Sequence, residues 1–183
     1  MKIPCTRLAR AAVVALASVT LIAAPSATSS ASVATPASAS PYCGITWGST
    51  PEAAGDMEAG LVQGVRAGRH TCYDRMVIDM SGDAPGYDVR YVKTVRADGS
   101  GAAVPVAGGA RLAIVAKKGA TFAPTMPSVS GYDTFRQIRW AGSFEGQTTF
   151  ALGVRARLPF RAFTLYDAST DTSRLVVDVA PRW

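Results

Sequence analysis

Two hexads decide the fold: Arg75-Met76-Val77-Ile78-Asp79-Met80 and, far downstream, Arg174-Leu175-Val176-Val177-Asp178-Val179. Each reads Arg, apolar, Val, apolar, Asp, apolar. Successive side chains on an extended strand point to opposite faces, so Arg, Val and Asp share one face of each hexad. Met76, Ile78 and Met80 line the other, as do Leu175, Val177 and Val179, and these six side chains are the expected core. Antiparallel pairing with residue numbers summing to 253 sets Arg75 opposite Asp178 and Asp79 opposite Arg174. Opposed charges across a strand pair stabilise by about 0.2–1 kcal/mol, whereas the parallel register sets like charges together. Two independent strands with solvated charges are the alternative reading.

Outward from the hexads, no stretch beyond Tyr42 has helical apolar spacing. Short apolar runs are punctuated by Gly, Pro and Asp-Gly instead. The pattern predicts strands over 44–47, 61–67, 75–80, 87–95, 112–117, 135–141, 148–155, 160–166 and 174–179. Turn signals separate them at Ser81-Gly82-Asp83, Asp98-Gly99-Ser100-Gly101, Gly108-Gly109, Lys118-Gly119 and Glu145-Gly146. Many short strands at such spacing predict an all-β fold, a β-sandwich of short, mostly antiparallel strands. Residues 51–59 (PEAAGDMEA) offer a helical turn or two, weakened by Gly55.

The chain has 183 residues, a length for one domain, and 48% of them are apolar, which excludes wholesale disorder. Its excess of 19 Lys+Arg over 13 Asp+Glu is partly positional. Lys2, Arg7 and Arg10 precede the uncharged run AAVVALASVTLIAA at 11–24, the pattern of a secretory signal peptide, and the run is too short to span a membrane. Cleavage sites are offered after Ala27, Ala31 and Ala39. The domain reading is therefore 1–39 for the signal peptide with its Ala/Ser/Thr-rich tail and 40–183 for the folded domain. Without the leader 16 cations face 13 acids, too mild an excess for a nucleic-acid partner. The mature chain is expected to be secreted, without a transmembrane segment.

Cys5 leaves with the leader, and the remaining pair, Cys43 and Cys72, reads as a disulfide in an exported chain. Closing that loop stabilises by about 3–4 kcal/mol in the chain-entropy treatment. A nucleophilic cysteine helped by His70 is the rival reading, disfavoured in an oxidising compartment.

Further stretches carry a resemblance. Tyr73-Asp74-Arg75-Met76-Val77-Ile78-Asp79, followed by Pro85-Gly86-Tyr87-Asp88-Val89-Arg90-Tyr91-Val92, resembles the first half of the AMIN-like domain of secreted actinobacterial proteins. Phe144-Glu145-Gly146, Leu152-Gly153-Val154, Pro159-Phe160-Arg161 and the closing Ser173-Arg174-Leu175-Val176-Val177-Asp178-Val179 resemble its second half. The order and spacing of these pieces, across 43–183, carry the likeness. The AMIN family proper is a β-sandwich on cell-wall amidases and secretion pores, where it localises its host by binding peptidoglycan without catalysis. The resemblance thus implies a similar fold and a place at the cell wall.

Catalysis finds little support in the residues. His70 is the only histidine, and no Gly-x-Ser-x-Gly elbow accompanies it. Asp79-Met80-Ser81-Gly82-Asp83 begins like a calcium loop, but Asp88 is the only later acid nearby, and Asp, Ser and Gly equally make an ordinary turn. No metal and no cofactor are expected.

Binding residues are better represented in the segment 136–161. Strand alternation puts Arg136, Ile138 and Trp140 on one face and Arg139 on the other, with Arg155, Arg157 and Arg161 following. Guanidinium groups beside an aromatic ring suit an anionic glycan, the ring packing on sugar and Arg forking onto the anion. Trp140 is equally read as core. The expected function is non-catalytic binding of cell-wall glycan or peptidoglycan through Arg136, Arg139, Trp140, Arg155, Arg157 and Arg161. A small secreted hydrolase built from scattered acids is one rival. The other is a protein-interaction module whose sheet edge captures a partner strand, with 99–110 ordered by that partner.

Overall fold

The structure, a computed structural model, describes residues 40–183; the expected leader and Cys5 lie outside the described residues. Thirteen strands follow in chain order: β1 (Ser40–Tyr42), β2 (Ile45–Trp47), β3 (Glu52–Ala54), β4 (Val62–Arg69), β5 (Asp74–Ser81), β6 (Tyr87–Tyr91), β7 (Val95–Arg96), β8 (Ala103–Val104), β9 (Ala110–Ala116), β10 (Phe135–Phe144), β11 (Gln147–Val154), β12 (Phe160–Asp167) and β13 (Thr172–Val179). A five-stranded sheet, β10-β11-β9-β6-β3, packs on a four-stranded one, β12-β13-β5-β4, with small β1-β2 and β7-β8 hairpins outside them. Every pair of strands within these sheets is antiparallel. The fold is an all-β sandwich.

The hexads lie side by side as β5 and β13, in the register that opposes their charges: Arg75 faces Asp178 and Arg174 faces Asp79. Their six apolar side chains are completely buried. Across the core they meet Val89, Leu112, Ile114, Phe150 and Leu152 of the other sheet. A buried polar tie joins the two layers, because the Asp74 carboxylate accepts from the Thr134 backbone N–H (2.5 Å), the Thr134 hydroxyl (2.7 Å) and the Phe135 N–H (3.2 Å). At the far side of the core the Tyr91 hydroxyl donates to the Leu158 carbonyl (2.7 Å) and accepts from the Leu158 N–H (3.0 Å).

The outer face of the five-stranded sheet is covered. After Val92 the chain leaves the sheet, so the strand expected over 87–95 is interrupted and resumes as the β7–β8 hairpin folded back on Ala141 and Ala151. Small residues permit this approach: a Cβ on Gly153 would lie 1.8 Å from the Ala107 carbonyl oxygen. Gln137 accepts from the Ala107 N–H (2.9 Å), and Thr149 donates to Asp98 (2.8 Å). Residues 99–110, read as a border for a partner to order, are thus largely engaged with the protein's own sheet.

Two local expectations fail. Residues 51–59 contain the edge strand β3, paired with β6, and no helix. Gly55 and Gly86 pass so closely that a Cβ on Gly86 would lie 2.3 Å from the Gly55 carbonyl oxygen, and Glu52 is held by the Ala162 N–H (2.6 Å). The alternation read through 136–140 also breaks, because the ladder slips between Phe135 and Gln137. That irregularity lets Phe135 and Ile138 both reach the core while Arg136 stays in solvent.

These contacts rank the charge pairs. Asp178 is fully buried between two arginines, whereas Asp79 and its partner Arg66 are 29% and 59% exposed. Asp178→Asn is therefore expected to destabilise by about 2–3 kcal/mol, and Asp79→Asn by less than about 1 kcal/mol, in urea unfolding. Tyr91 supplies a pH signature, since burial pushes its hydroxyl from 10.0 up to about 12, against the opposing pull of the Leu158 bond and Arg157. An unfolded tyrosine releases its proton first, so this contribution is fully present below about pH 10 and is lost as pH rises through about 12. Unfolding measured across that interval should show a shallower alkaline decline in Tyr91→Phe than in the natural chain.

Candidate functional site

The outer face of the four-stranded sheet is covered at one end by Trp47 of the β1–β2 hairpin and opens to solvent beyond it. Strand register arranges the residues there in rows running across the sheet. The first row reads Arg161, Asp178, Arg75, Gly68; the second Phe163, Val176, Val77, Arg66; the third Leu165, Arg174, Asp79, Gly64. Charge thus alternates along the first row, and an apolar strip runs beneath it.

Asp178 anchors the first row. Arg75 reaches it through Nε (2.6 Å) and Nη2 (2.9 Å), and Arg161 through Nε (2.9 Å). The Asp178 hydrogen bonds hold Arg75 above the ordinary arginine value, against the opposing effect of burial. With both guanidinium groups fixed, aromatic rings pack around them. Arg75 lies 4.9 Å from the centre of the Tyr73 ring, and Arg161 lies 5.1 Å from Phe163 and 5.5 Å from Trp47. The Cys43–Cys72 disulfide, present as expected, ties the β1–β2 hairpin carrying Trp47 to the segment carrying Tyr73.

Beside this stack the second and third rows form a trough of about 300 Å³, floored by Val77 and Val176 and walled by Arg66, Arg174, Leu165 and His70. Gly68 contributes depth, having no side chain to fill the space beside His70. Arg66 and Arg174 also border a second hollow of about 510 Å³, reaching Gln63 and Thr172, so the depression continues along the face. Arg66 is committed to Asp79 by two bonds (2.5 and 2.8 Å), while Arg174 stands 3.9 Å from the same carboxylate and is 44% exposed. A long, shallow channel with guanidinium walls and an apolar floor has the shape to hold an extended ligand.

The chemically suspect groups have other occupations. His70 packs against the Tyr73 ring at 4.8 Å, and among the described residues no serine hydroxyl or carboxylate hydrogen-bonds its imidazole. The stretch that resembled a calcium loop is organised by an ammonium: buried Lys118 donates to the carbonyls of Ser81 and Asp83, both at 2.6 Å. Burial drags Lys118 below the ordinary lysine value. No group of three or more potential metal ligands occurs among the described residues. Glu52 and Asp98, carboxyls raised chiefly by burial, are engaged by the Ala162 N–H and the Thr149 hydroxyl respectively.

The six residues read as a binding segment are dispersed. Arg161 alone joins the open face. Trp140 packs on the core against Phe150, ring centres 5.5 Å apart. Arg136 donates to the carbonyls of Tyr132 and Phe135, and the exposed Arg139 to that of Pro105. Arg155 bonds the Pro181 carbonyl and Arg157 that of Ser49. Missing from that reading were Arg174, which the polar face of the second hexad carries, and Arg66, Tyr73 and Phe163, which the strand order β12-β13-β5-β4 and the disulfide segment bring beside it.

Among the described residues no helix is long and apolar enough to cross a membrane. Neither a curated protein nor a solved structure matches the chain. A family model described as AMIN-like domain matches residues 60–181, which takes in both hexads, the trough and, apart from Trp47, the stack above it. The chain belongs to the AMIN-like domain family.

Proposed function

We propose that this protein is an exported, non-catalytic module that binds the cell wall, either peptidoglycan or another envelope polysaccharide, through the open face of its four-stranded sheet. The observation that carries the reading is the trough beside the arginine–aromatic stack: Arg66 and Arg174 over a Val77–Val176 floor, continuous along the face. The family supports a wall-binding type of module, and the disulfide supports a place outside the cytoplasm, reached through the leader at 1–39. Of the contact residues first read from sequence, Arg161 belongs to this surface directly. Its part is to hold the stack in place, since its guanidinium is bonded to Asp178.

Recognition here combines apolar stacking with exposed charge. Attraction between exposed charges is screened over about 10 Å at 0.1 M salt, so binding weakens with salt yet keeps an apolar remainder. The protein should pellet with purified cell-wall sacculi, and adding salt should reduce the bound fraction without abolishing it. Arg66→Gln combined with Arg174→Gln should weaken association by about tenfold, a loss of roughly 1.4 kcal/mol. Absence of pelleting at both low and physiological salt defeats the proposal. Crosslinking in the native envelope that captures only a protein strand at the β12 edge would transfer the function to an interaction module.

A further inference from the structure

A second basic surface lies at another place, and its arginines are in a different chemical situation. Every arginine of the three rows on the open face contacts a carboxylate: Arg66 and Arg174 on Asp79, Arg75 and Arg161 on Asp178. Lys93, Arg111 and Arg157 join no ion pair among the described residues. They nevertheless converge on one hollow of about 300 Å³, together with Tyr91 and Gly109.

The three cations come from separate stretches. Lys93 follows β6, Arg111 lies in β9, the strand hydrogen-bonded to β6, and Arg157 precedes β12 in the opposite sheet. The Val92 N–H donates to the Arg111 carbonyl (2.9 Å), which continues the ladder past β6 and keeps Lys93 beside Arg111. Arg157 is held from two sides. Its guanidinium carbon lies 4.7 Å from the Tyr91 ring centre, and Nη2 donates to the Ser49 carbonyl (3.0 Å). Tyr91 is in turn anchored by its two bonds to Leu158, next to Arg157 in the chain. Three like charges gathered round a concavity repel one another, and within the described chain no carboxylate offsets them. An anion would.

We propose that this hollow binds a tetrahedral oxyanion, a phosphate or phosphodiester group, held between Lys93, Arg111 and Arg157. A carboxylate presents two coplanar oxygens, whereas phosphate spreads its acceptors toward several directions and so meets donors arriving from three segments. Arg157 is pre-oriented by Tyr91 and Ser49, so less side-chain freedom is lost on binding. The hollow has room for the phosphate and part of the group that bears it, and a further concavity of about 420 Å³ beside Lys93 and Arg111 extends it toward residues 103–106. The inference stands apart from the wall-binding reading, because the two surfaces share no lining residue.

The test is a titration of the isotopically labelled protein with inorganic phosphate at constant ionic strength, followed by NMR. Backbone signals of 91–93 and 109–111 and the Arg157 Nε–H should shift saturably, while those of His70 and Arg174 stay still. Lys93→Gln and Arg157→Gln should each weaken binding by about tenfold. Lys93 is exposed, so its variant remains informative even where loss of Arg157 loosens the loop. Poly(glycerol phosphate) binding more tightly than inorganic phosphate identifies a polymer phosphodiester as the source, and the reverse order identifies a free phosphate; either result supports the site. Shifts that chloride reproduces, that glucuronate matches in affinity, or that survive in both variants overturn it. Sacculi binding can fail while this titration succeeds, and the reverse, so the two readings fall separately.

Discussion

The buried carboxylate of Asp178, held between Arg75 and Arg161, is the constraint on which the rest of the structure depends. Strand side chains alternate with a period of two, so a slip of β13 by one residue against β5 would turn its arginine and aspartate toward the core and Leu175, Val177 and Val179 outward. The apolar hexad faces alone would resist such a slip. The charges add direction and register, since only the observed antiparallel pairing gives a fully buried anion two guanidinium partners. The gain lies more in specificity than in stability. Removing a carboxylate from water costs several kcal/mol, and the attraction of its partners largely offsets that, so removing one member harms more than the pair helps.

From that constraint follows the different fate of the two outer faces. The five-stranded sheet presents Ala113, Ala141, Ala151 and Gly153 outward, and the 92–109 segment lies down on them. On the four-stranded sheet Trp47 of the β1–β2 hairpin closes over the end that holds Asp178, and the trough beside it stays open. Burying the fixed arginines beneath a flap would demand a partner for every remaining guanidinium donor. Left open, the same groups form a surface of defined geometry at little conformational-entropy cost on binding, because Asp178 and the rings already restrain Arg75 and Arg161.

How far the sequence could be read depended on how local each determinant is. The hexads are legible because alternation, charge order and pairing are all contained in twelve residues, and the pair Cys43–Cys72 because only two cysteines remain beyond the leader. Arg136 is misread because a single irregularity in the β10–β11 ladder breaks the alternation, and nothing between Phe135 and Ile138 marks it. Residues 51–59 carry helix-forming Ala and Glu, but the approach of Gly86, over thirty positions away, keeps them extended. The trough was half legible: the polar hexad faces were seen, while Arg66, Leu165 and Tyr73 needed the order β12-β13-β5-β4. Lys93, Arg111 and Arg157 are scattered over 65 positions of sequence and become neighbours only because β6 pairs with β9 and Tyr91 reaches across to Leu158.

Arginine therefore has two roles in this protein, and pairing separates them. On the open face, Asp79 and Asp178 absorb much of the positive charge, leaving guanidinium groups that serve as flat, oriented surfaces beside Tyr73, Phe163 and Leu165. Such a surface suits a ligand that is mostly uncharged and extended, with anions only at intervals, because contact area rather than net charge dominates its recognition. In the hollow of Lys93, Arg111 and Arg157 the charge is uncompensated and the area small, which suits a compact anion. The mild positive excess of the chain arises from cations without acidic partners, so the net charge alone describes neither surface. Where each carboxylate sits decides which arginines contribute shape and which contribute charge.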